Sequence, residues 1–92
     1  MTIKLSGTGA EPVAHSVSLT WSGSTSVVIG YNVYSSTISG GPYARLNTFA
    51  IATTNYTDGS VEAGRTYYFV VTSISPDNVE SAYSRQVSVI VP

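Results

Sequence analysis

The sequence contains no cysteine and a single histidine, His15. Disulfides, thiolate nucleophiles and cysteine zinc sites are therefore excluded, and one histidine cannot complete a zinc site of three or four ligands. Only four residues are basic, and the formal net charge is −1. A nucleic-acid-binding protein usually carries a basic stripe that replaces phosphate counterions, and membrane-surface segments are usually polybasic. We therefore expect neither kind of partner.

Long apolar runs and helical periodicity are also missing. No stretch approaches the roughly 20 apolar residues of a membrane-spanning helix, so we expect no membrane insertion. No segment shows a 3.6-residue hydrophobic period over the length that a helix needs. With 92 residues, the chain has room for one domain. Its many valines, threonines and tyrosines favour pleated, half-buried strands.

Segments with a two-residue period recur along the chain and are separated by turn signals such as residues 39–42 (SGGP). They predict strands at residues 13–14, 16–21, 28–36, 43–46, 54–57, 66–75 and 84–91. A further alternating segment, residues 2–6, stops at residues 7–9 (GTG). Seven short strands with this spacing and no crossover helix predict an all-β, Greek-key sandwich.

Strand parity predicts which side chains form the core, because successive residues of a strand point to opposite faces. The inward set is Val17, Leu19, Trp21, Tyr31, Val33, Tyr67, Phe69, Val71, Val87, Val89 and Val91. The same parity places Tyr34 and Tyr68 on an outer face. The inward aromatic residues are therefore predicted to be core rather than a ligand platform.

Several motifs, in order, resemble the fibronectin type III family of bacterial multidomain surface or secreted proteins. Residues 15–21 (HSVSLTW) are similar to the strand with the core tryptophan, and residues 30–34 (GYNVY) with 39–43 (SGGPY) to the next strand and its hairpin. Residues 61–67 (VEAGRTY) resemble a corner in which a tyrosine hydroxyl ties back to the backbone. Residues 78–84 (NVESAYS) resemble the loop before the last strand.

The resemblance implies a seven-stranded immunoglobulin-like sandwich over residues 11–92. Residues 1–10 lie outside it, and residues 3–9 look like the closing strand of a preceding immunoglobulin-like domain. We therefore expect residues 1–10 to be a linker or the last strand of another domain. The resemblance also implies an extracellular or cell-surface location.

No arrangement of residues predicts catalysis. A lone histidine forms no triad, and the glycine-rich pieces precede no helix that could hold a phosphate. Asp77, Asn78 and Glu80 lack the spacing of a calcium loop, and turn chemistry explains the first two. We therefore expect a protein that is not an enzyme, with no catalytic residues, no metal and no cofactor.

The leading functional interpretation is a non-catalytic extracellular spacer or interaction module, whose partners are the neighbouring domains of its own chain. One alternative is a self-assembling subunit in which Ile3 and Leu5 of a free N-terminal strand add to the edge of another copy. Another is a glycan-binding appendage of a polysaccharide-degrading enzyme, for which Tyr34, Tyr68 and Tyr43 are the candidate ligand contacts.

Overall fold

The computed structural model describes residues 3–10, 14–23 and 26–91, with side chains from residue 16 onward. This part of the chain contains seven β-strands and no helix. In chain order the strands are β1 (Ile3–Ala10), β2 (Ala14–Trp21), β3 (Gly30–Ser36), β4 (Ala44–Arg45), β5 (Asn55–Asp58), β6 (Thr66–Ile74) and β7 (Val87–Ile90). The all-β prediction is confirmed.

The strands form two antiparallel sheets, with the orders β1-β2-β5 and β4-β3-β6-β7. Strands β2 and β5 are neighbours, as are β3 and β6, although neither pair is consecutive in the chain. The connections therefore pass between the two sheets, which is the arrangement of a Greek-key sandwich.

The strand register places the two ends of the sandwich's chain at opposite poles. Strand β1 begins opposite Trp21, where β2 ends. Strand β7 ends opposite Thr66, the first residue of β6. The connection into β6 comes from Asp58, which lies opposite Val17 near the start of β2. The molecule measures 43 × 23 × 22 Å, so these poles lie along an elongated body.

The core lies between the sheets and contains the side chains that parity predicted, together with Val61, which was not predicted. The most deeply buried apolar residues of the cluster are Val17, Leu19, Val33, Phe69, Val71 and Val91, each at most 1% exposed. Trp21 and Tyr31 are also buried, and Tyr67 and Val87 pack against the cluster from its margin. Both sheets contribute, since β2 supplies one wall and β3, β6 and β7 supply the other.

The N-terminal strand differs from the prediction. We expected an alternating segment that stops at residues 7–9, but β1 continues through both glycines to Ala10 and pairs with β2 along its whole length. Ala14 is the first residue of β2 rather than part of a separate edge strand, and Val13 lies outside the described residues. The glycines keep the extended backbone because interstrand hydrogen bonds need no side chain. The assignment of residues 1–10 to a linker or preceding domain stays a prediction.

Two turns have the local chemistry that the sequence indicated. Gly40 and Gly41 have φ of 86° and 94°, which is the left-handed region. A Cβ on Gly41 would also lie 3.1 Å from the ring of Tyr43, which is a tight contact. After β5, the carboxylate of Asp58 accepts hydrogen bonds from the backbone and hydroxyl of Ser60 at 2.9 and 2.6 Å.

The corner before β6 is confirmed. The backbone N–H of Glu62 donates a 2.8 Å hydrogen bond to the hydroxyl of Tyr67. Tyr67→Phe removes that acceptor and leaves the ring in place. Because the bond is near the surface, we expect a loss of about 1 kcal/mol in the free energy of unfolding, measured by urea denaturation. Tyr68→Phe in the same strand is the matched control, and an equal loss in both variants would contradict a specific role for the corner.

Candidate functional site: the outer face of the four-stranded sheet

Three tyrosines meet on the outer face of the four-stranded sheet. The ring of Tyr83, which precedes β7, lies 5.2 Å from the ring of Tyr34 in β3 and 5.2 Å from that of Tyr43 before β4. The interplanar angles of 71° and 70° are those of edge-to-face contacts, in which ring edges meet ring faces. Strand β6 lies between β3 and the segment that carries Tyr83, so these rings cover its outward side chains.

This cover explains an outer face that is unexpectedly buried. Val70 and Thr72 point away from the core by parity, yet each is only 1% exposed. The segment before β7 follows the edge of β6, where Ser81 and Ser84 make backbone hydrogen bonds to Ser73 and Val71. From that edge its side chains reach over the sheet. The outer face is therefore a second, partly polar layer of packing.

Glu80 is the polar centre of this layer. Its Oε2 accepts hydrogen bonds from Asn32 Nδ2 at 3.2 Å, from Thr72 Oγ1 at 2.5 Å and from the hydroxyl of Tyr34. Asn32 and Thr72 lie directly opposite each other on β3 and β6, which brings their side chains to one point. Three donors from two strands therefore hold one carboxylate oxygen in place.

The hydrogen bonds shift the acidity of the groups involved. The bonds from Thr72, Tyr34 and Asn32, together with the charge of Arg45, hold the pKa of Glu80 below its usual range, although partial burial opposes the shift. Burial and the adjacent Glu80 carboxylate raise the pKa of Tyr34. At neutral pH the pair is therefore a neutral phenol that donates to an ionised carboxylate.

The depressed pKa of Glu80 predicts a pH-dependent contribution to stability. A carboxyl group whose pKa is lower in the folded state stabilises the fold above its unfolded-state pKa, and this contribution is lost as pH falls through the folded-state value. We expect the native chain to be more stable than Glu80→Gln at pH 7 and the gap to narrow in acid, measured by urea denaturation from pH 7 to pH 2. Glu62→Gln, which removes a charge from an exposed ion pair with Arg65, is the control. A stability difference between the native chain and Glu80→Gln that does not change with pH would contradict the lowered pKa of Glu80.

A buried amide network extends this layer toward one end of the sheet. Asn47, which is 8% exposed, accepts a 2.8 Å hydrogen bond from the backbone N–H of Val33. Its Nδ2 donates to Asn32 Oδ1 and to the carbonyl of Phe49, both at 2.8 Å. Asn32 thus joins Asn47 to Glu80. The network fixes the chain that leaves β4 along the edge of β3.

At the other end of this face, Gln86 anchors the turn between β3 and β4. Its Oε1 accepts a 2.6 Å bond from the backbone N–H of Gly40 and a bond from the hydroxyl of Tyr43. Its Nε2 donates to the hydroxyl of Ser39 at 3.1 Å. Because Gln86 precedes β7, at the far edge of the sheet from β4, the turn folds back across the outer face. This contact sets the position of the Tyr43 ring.

An open pocket of about 390 Å³ lies beside the tyrosines and Glu80. We call it the tyrosine pocket. Its lining residues are Tyr34, Thr72, Glu80, Ser81, Ala82 and Tyr83. One wall is aromatic and one carries the carboxylate, so the site offers both an apolar surface and hydrogen-bond acceptors.

The sequence predicted part of this site. Tyr34 and Tyr43 both lie in the tyrosine cluster, whereas Tyr68 is half-buried elsewhere on the sheet and does not line the pocket. Glu80 was weighed only as a calcium ligand, and two of its three partners, Asn32 and Tyr34, lie 48 and 46 residues away along the chain. The usable signal was the outward parity of Asn32 and Tyr34. The role of these tyrosines in ligand binding stays a prediction.

The N-terminal assembly candidates, Ile3 and Leu5, have backbones paired with Trp21 and Leu19 of the same chain. The structure does not describe the side chains of these two residues.

Within the described residues, no group of three or more His, Cys, Asp or Glu side chains is placed to hold a metal ion. In the same part of the chain, no helix has the length and apolarity of a membrane span.

The architecture defines a class: a two-sheet, seven-stranded, immunoglobulin-like sandwich. An Fn3-like protein from Clostridium thermocellum has a similar structure, with a TM-score of 0.78 and 38% sequence identity, over 92% of this chain and 84% of that one. The chain therefore belongs to the fibronectin type III-like family, as its motifs indicated. No family model matches the chain.

Two other similarities involve much larger proteins. The chain is 38% identical over 71 residues to an amylopullulanase from Thermoanaerobacter thermohydrosulfuricus, which covers 77% of this chain and 5% of that protein. The pectate lyase PelI from Erwinia chrysanthemi, solved in complex with tetragalacturonic acid, shares the fold over 95% of this chain and 27% of its own. The TM-score of this match is 0.76 and the sequence identity is 24%, so the similarity shows the fold alone.

Proposed function

We propose that this chain is a non-catalytic spacer or interaction module of an extracellular or cell-surface, multidomain enzyme that degrades polysaccharide. The observation that carries the proposal is the 38% identity to a part of an amylopullulanase that amounts to 5% of that protein. A match of this length is the size of one domain within a larger assembly. The family membership supports a module whose role is to connect or to contact.

The geometry suits a spacer. Chain entry and exit lie at opposite poles of a body 43 Å long, so neighbouring domains would be held apart along one axis. The hydrogen-bonded sheets, with their two packed layers, make that body stiff compared with a flexible linker of the same length. The partners expected from the sequence, neighbouring domains of one chain, would then attach at the two poles.

A tandem fusion of two copies tests the spacer role. We expect small-angle X-ray scattering to give a maximum dimension about twice the 43 Å long axis of one copy. Two copies joined by a flexible Gly/Ser linker are the control, because they sample shorter separations. A tandem fusion no longer than one copy would contradict the proposal. Hydrolysis of starch, pullulan or pectin by the purified chain would contradict its non-catalytic part.

Self-assembly through β1 remains the alternative. In this structure the backbone of β1 pairs with β2 of its own chain and forms the edge of the three-stranded sheet. Assembly would require that strand to leave β2, or its outer edge to accept a strand from another copy. We expect a monomer in sedimentation velocity; association that is lost in Ile3→Lys and Leu5→Lys would favour the alternative.

A further inference from the structure

We propose that the tyrosine pocket binds a neutral sugar residue of a polysaccharide chain. This inference rests on the proposed function for its class of ligand, and on the pocket itself for its chemistry. Three features of the pocket support it: a preformed aromatic surface, a carboxylate with an open oxygen, and a local charge that selects against acidic ligands.

The aromatic surface is Tyr83. Its side chain is 52% exposed although two other rings pack against it edge to face. Those contacts restrict the ring before any ligand arrives, and a rigid aromatic side chain loses little conformational entropy on binding. The C–H groups on the face of a pyranose form an apolar patch that packs on a flat aromatic ring. A tyrosine held in place but half-open to solvent suits this contact.

The polar wall is Glu80. Its Oε2 already receives three hydrogen bonds, whereas Oε1 has no hydrogen-bond partner among the described residues. The carboxylate is thus fixed through one oxygen and can accept hydrogen bonds through the other. A charged acceptor forms stronger hydrogen bonds than a neutral one. Adjacent sugar hydroxyls are donors with the spacing and direction that such an oxygen can use.

Two other polar side chains of the pocket, Thr72 and Ser81, are already engaged. The Thr72 hydroxyl donates to Glu80, and the Ser81 hydroxyl accepts from the Ser73 backbone and donates to the Ala82 carbonyl. The open oxygen of Glu80 is an acceptor, so a ligand that binds it must supply donors. An acidic sugar would bring its own carboxylate toward Glu80, which is ionised at neutral pH. A neutral sugar brings hydroxyl donors without that repulsion.

An amine is the competing ligand class, because a cation also fits beside tyrosine rings and a carboxylate. Two observations favour the neutral sugar. Three donors already balance part of the Glu80 charge, and Arg45 is close enough to lower the pKa of that carboxyl. The charge of Arg45 therefore weakens the attraction of a ligand cation to Glu80.

The test is an NMR titration of the ¹⁵N-labelled chain with maltohexaose and with cellohexaose as neutral probes. With at least one of them we expect saturable shifts of the Ser81, Ala82 and Tyr83 amides, with a dissociation constant on the order of 1 mM. Tetragalacturonic acid and Nα-acetyl-lysine amide, the acidic and amine probes, should each bind about tenfold more weakly or not at all.

Variants locate the site. Tyr83→Ala and Glu80→Gln should each weaken binding of the neutral probe, the former about tenfold or more. Phe49→Ala is the matched control, since Phe49 is an 83% exposed aromatic residue that does not line the pocket. Absence of binding by both neutral probes, equal or tighter binding of either charged probe, or unchanged affinity in Tyr83→Ala would each overturn the proposal. The tandem scattering measurement would still decide the spacer role separately.

Discussion

Trp21→Ala should lower the free energy of unfolding by about 3–5 kcal/mol, the largest effect we expect from any single substitution in this chain. Trp21 is 5% exposed at the end of β2, and its ring meets that of Tyr31 edge to face with centroids 5.6 Å apart. Removing the indole loses the free energy of its transfer from water to the core. It also leaves a cavity between the two sheets, which the surrounding structure fills only in part. A domain of this size has only about 5–15 kcal/mol of stability in total.

A second substitution separates the effect of losing the indole ring from the effect of losing its N–H donor. The Nε1–H of Trp21 is buried and has no hydrogen-bond partner among the described residues. Trp21→Phe keeps most of the ring and removes this donor, so we expect a much smaller loss than for alanine. Urea denaturation followed by circular dichroism measures both variants, with the exposed Phe49→Ala as control. Equal midpoints for Trp21→Ala and the native chain would show that the ring is not part of the core.

The inner faces of the strands could be predicted from the sequence because their signal is local. Alternation along residues 16–21 and 66–71 is sufficient to place Leu19 and Phe69 between two sheets, whatever the strands pair with. The corner at Tyr67 was predictable for the same reason, since its partner Glu62 lies five residues away. Local patterns also located the turn glycines.

The outer layer could not be predicted in the same way. Thr72 and Val70 have outward parity but are buried, because side chains of the segment along the edge of β6 reach over this face. The partners of Glu80 and Gln86 lie across the sheet, and nothing in their own sequence neighbourhood marks them. For β1 the sequence predicted the alternating segment at residues 2–6 but not its continuation to Ala10. Gly7 and Gly9 were interpreted as the end of the segment, whereas pairing with β2 keeps them in an extended strand.

The buried amide network should give the second large effect. Asn47→Ala removes the acceptor of the Val33 N–H and the donor to Asn32 Oδ1 and the Phe49 carbonyl. The Val33 N–H and Asn32 Oδ1 are buried, so water cannot replace their lost partner without entering the layer. Each unsatisfied buried group costs about 1–3 kcal/mol, and neighbours in one network are not independent. We expect a total loss of about 2–4 kcal/mol in the free energy of unfolding.

Because Asn47 is joined to Glu80 through Asn32, its removal should also change the structure of the tyrosine pocket. Asn32 donates to Glu80 through the same side chain that accepts from Asn47, so a rotated Asn32 amide would remove one of the three donors to the carboxylate. We therefore expect Asn47→Ala to shift the amide NMR signals of Glu80 and Ser81 as well as those of Val33. Asn55→Ala, an exposed asparagine on β5, is the matched control. If Asn47→Ala is as stable as this control, the amides do not form the network; if it is destabilised but the signals near Glu80 stay fixed, the network ends at Asn32.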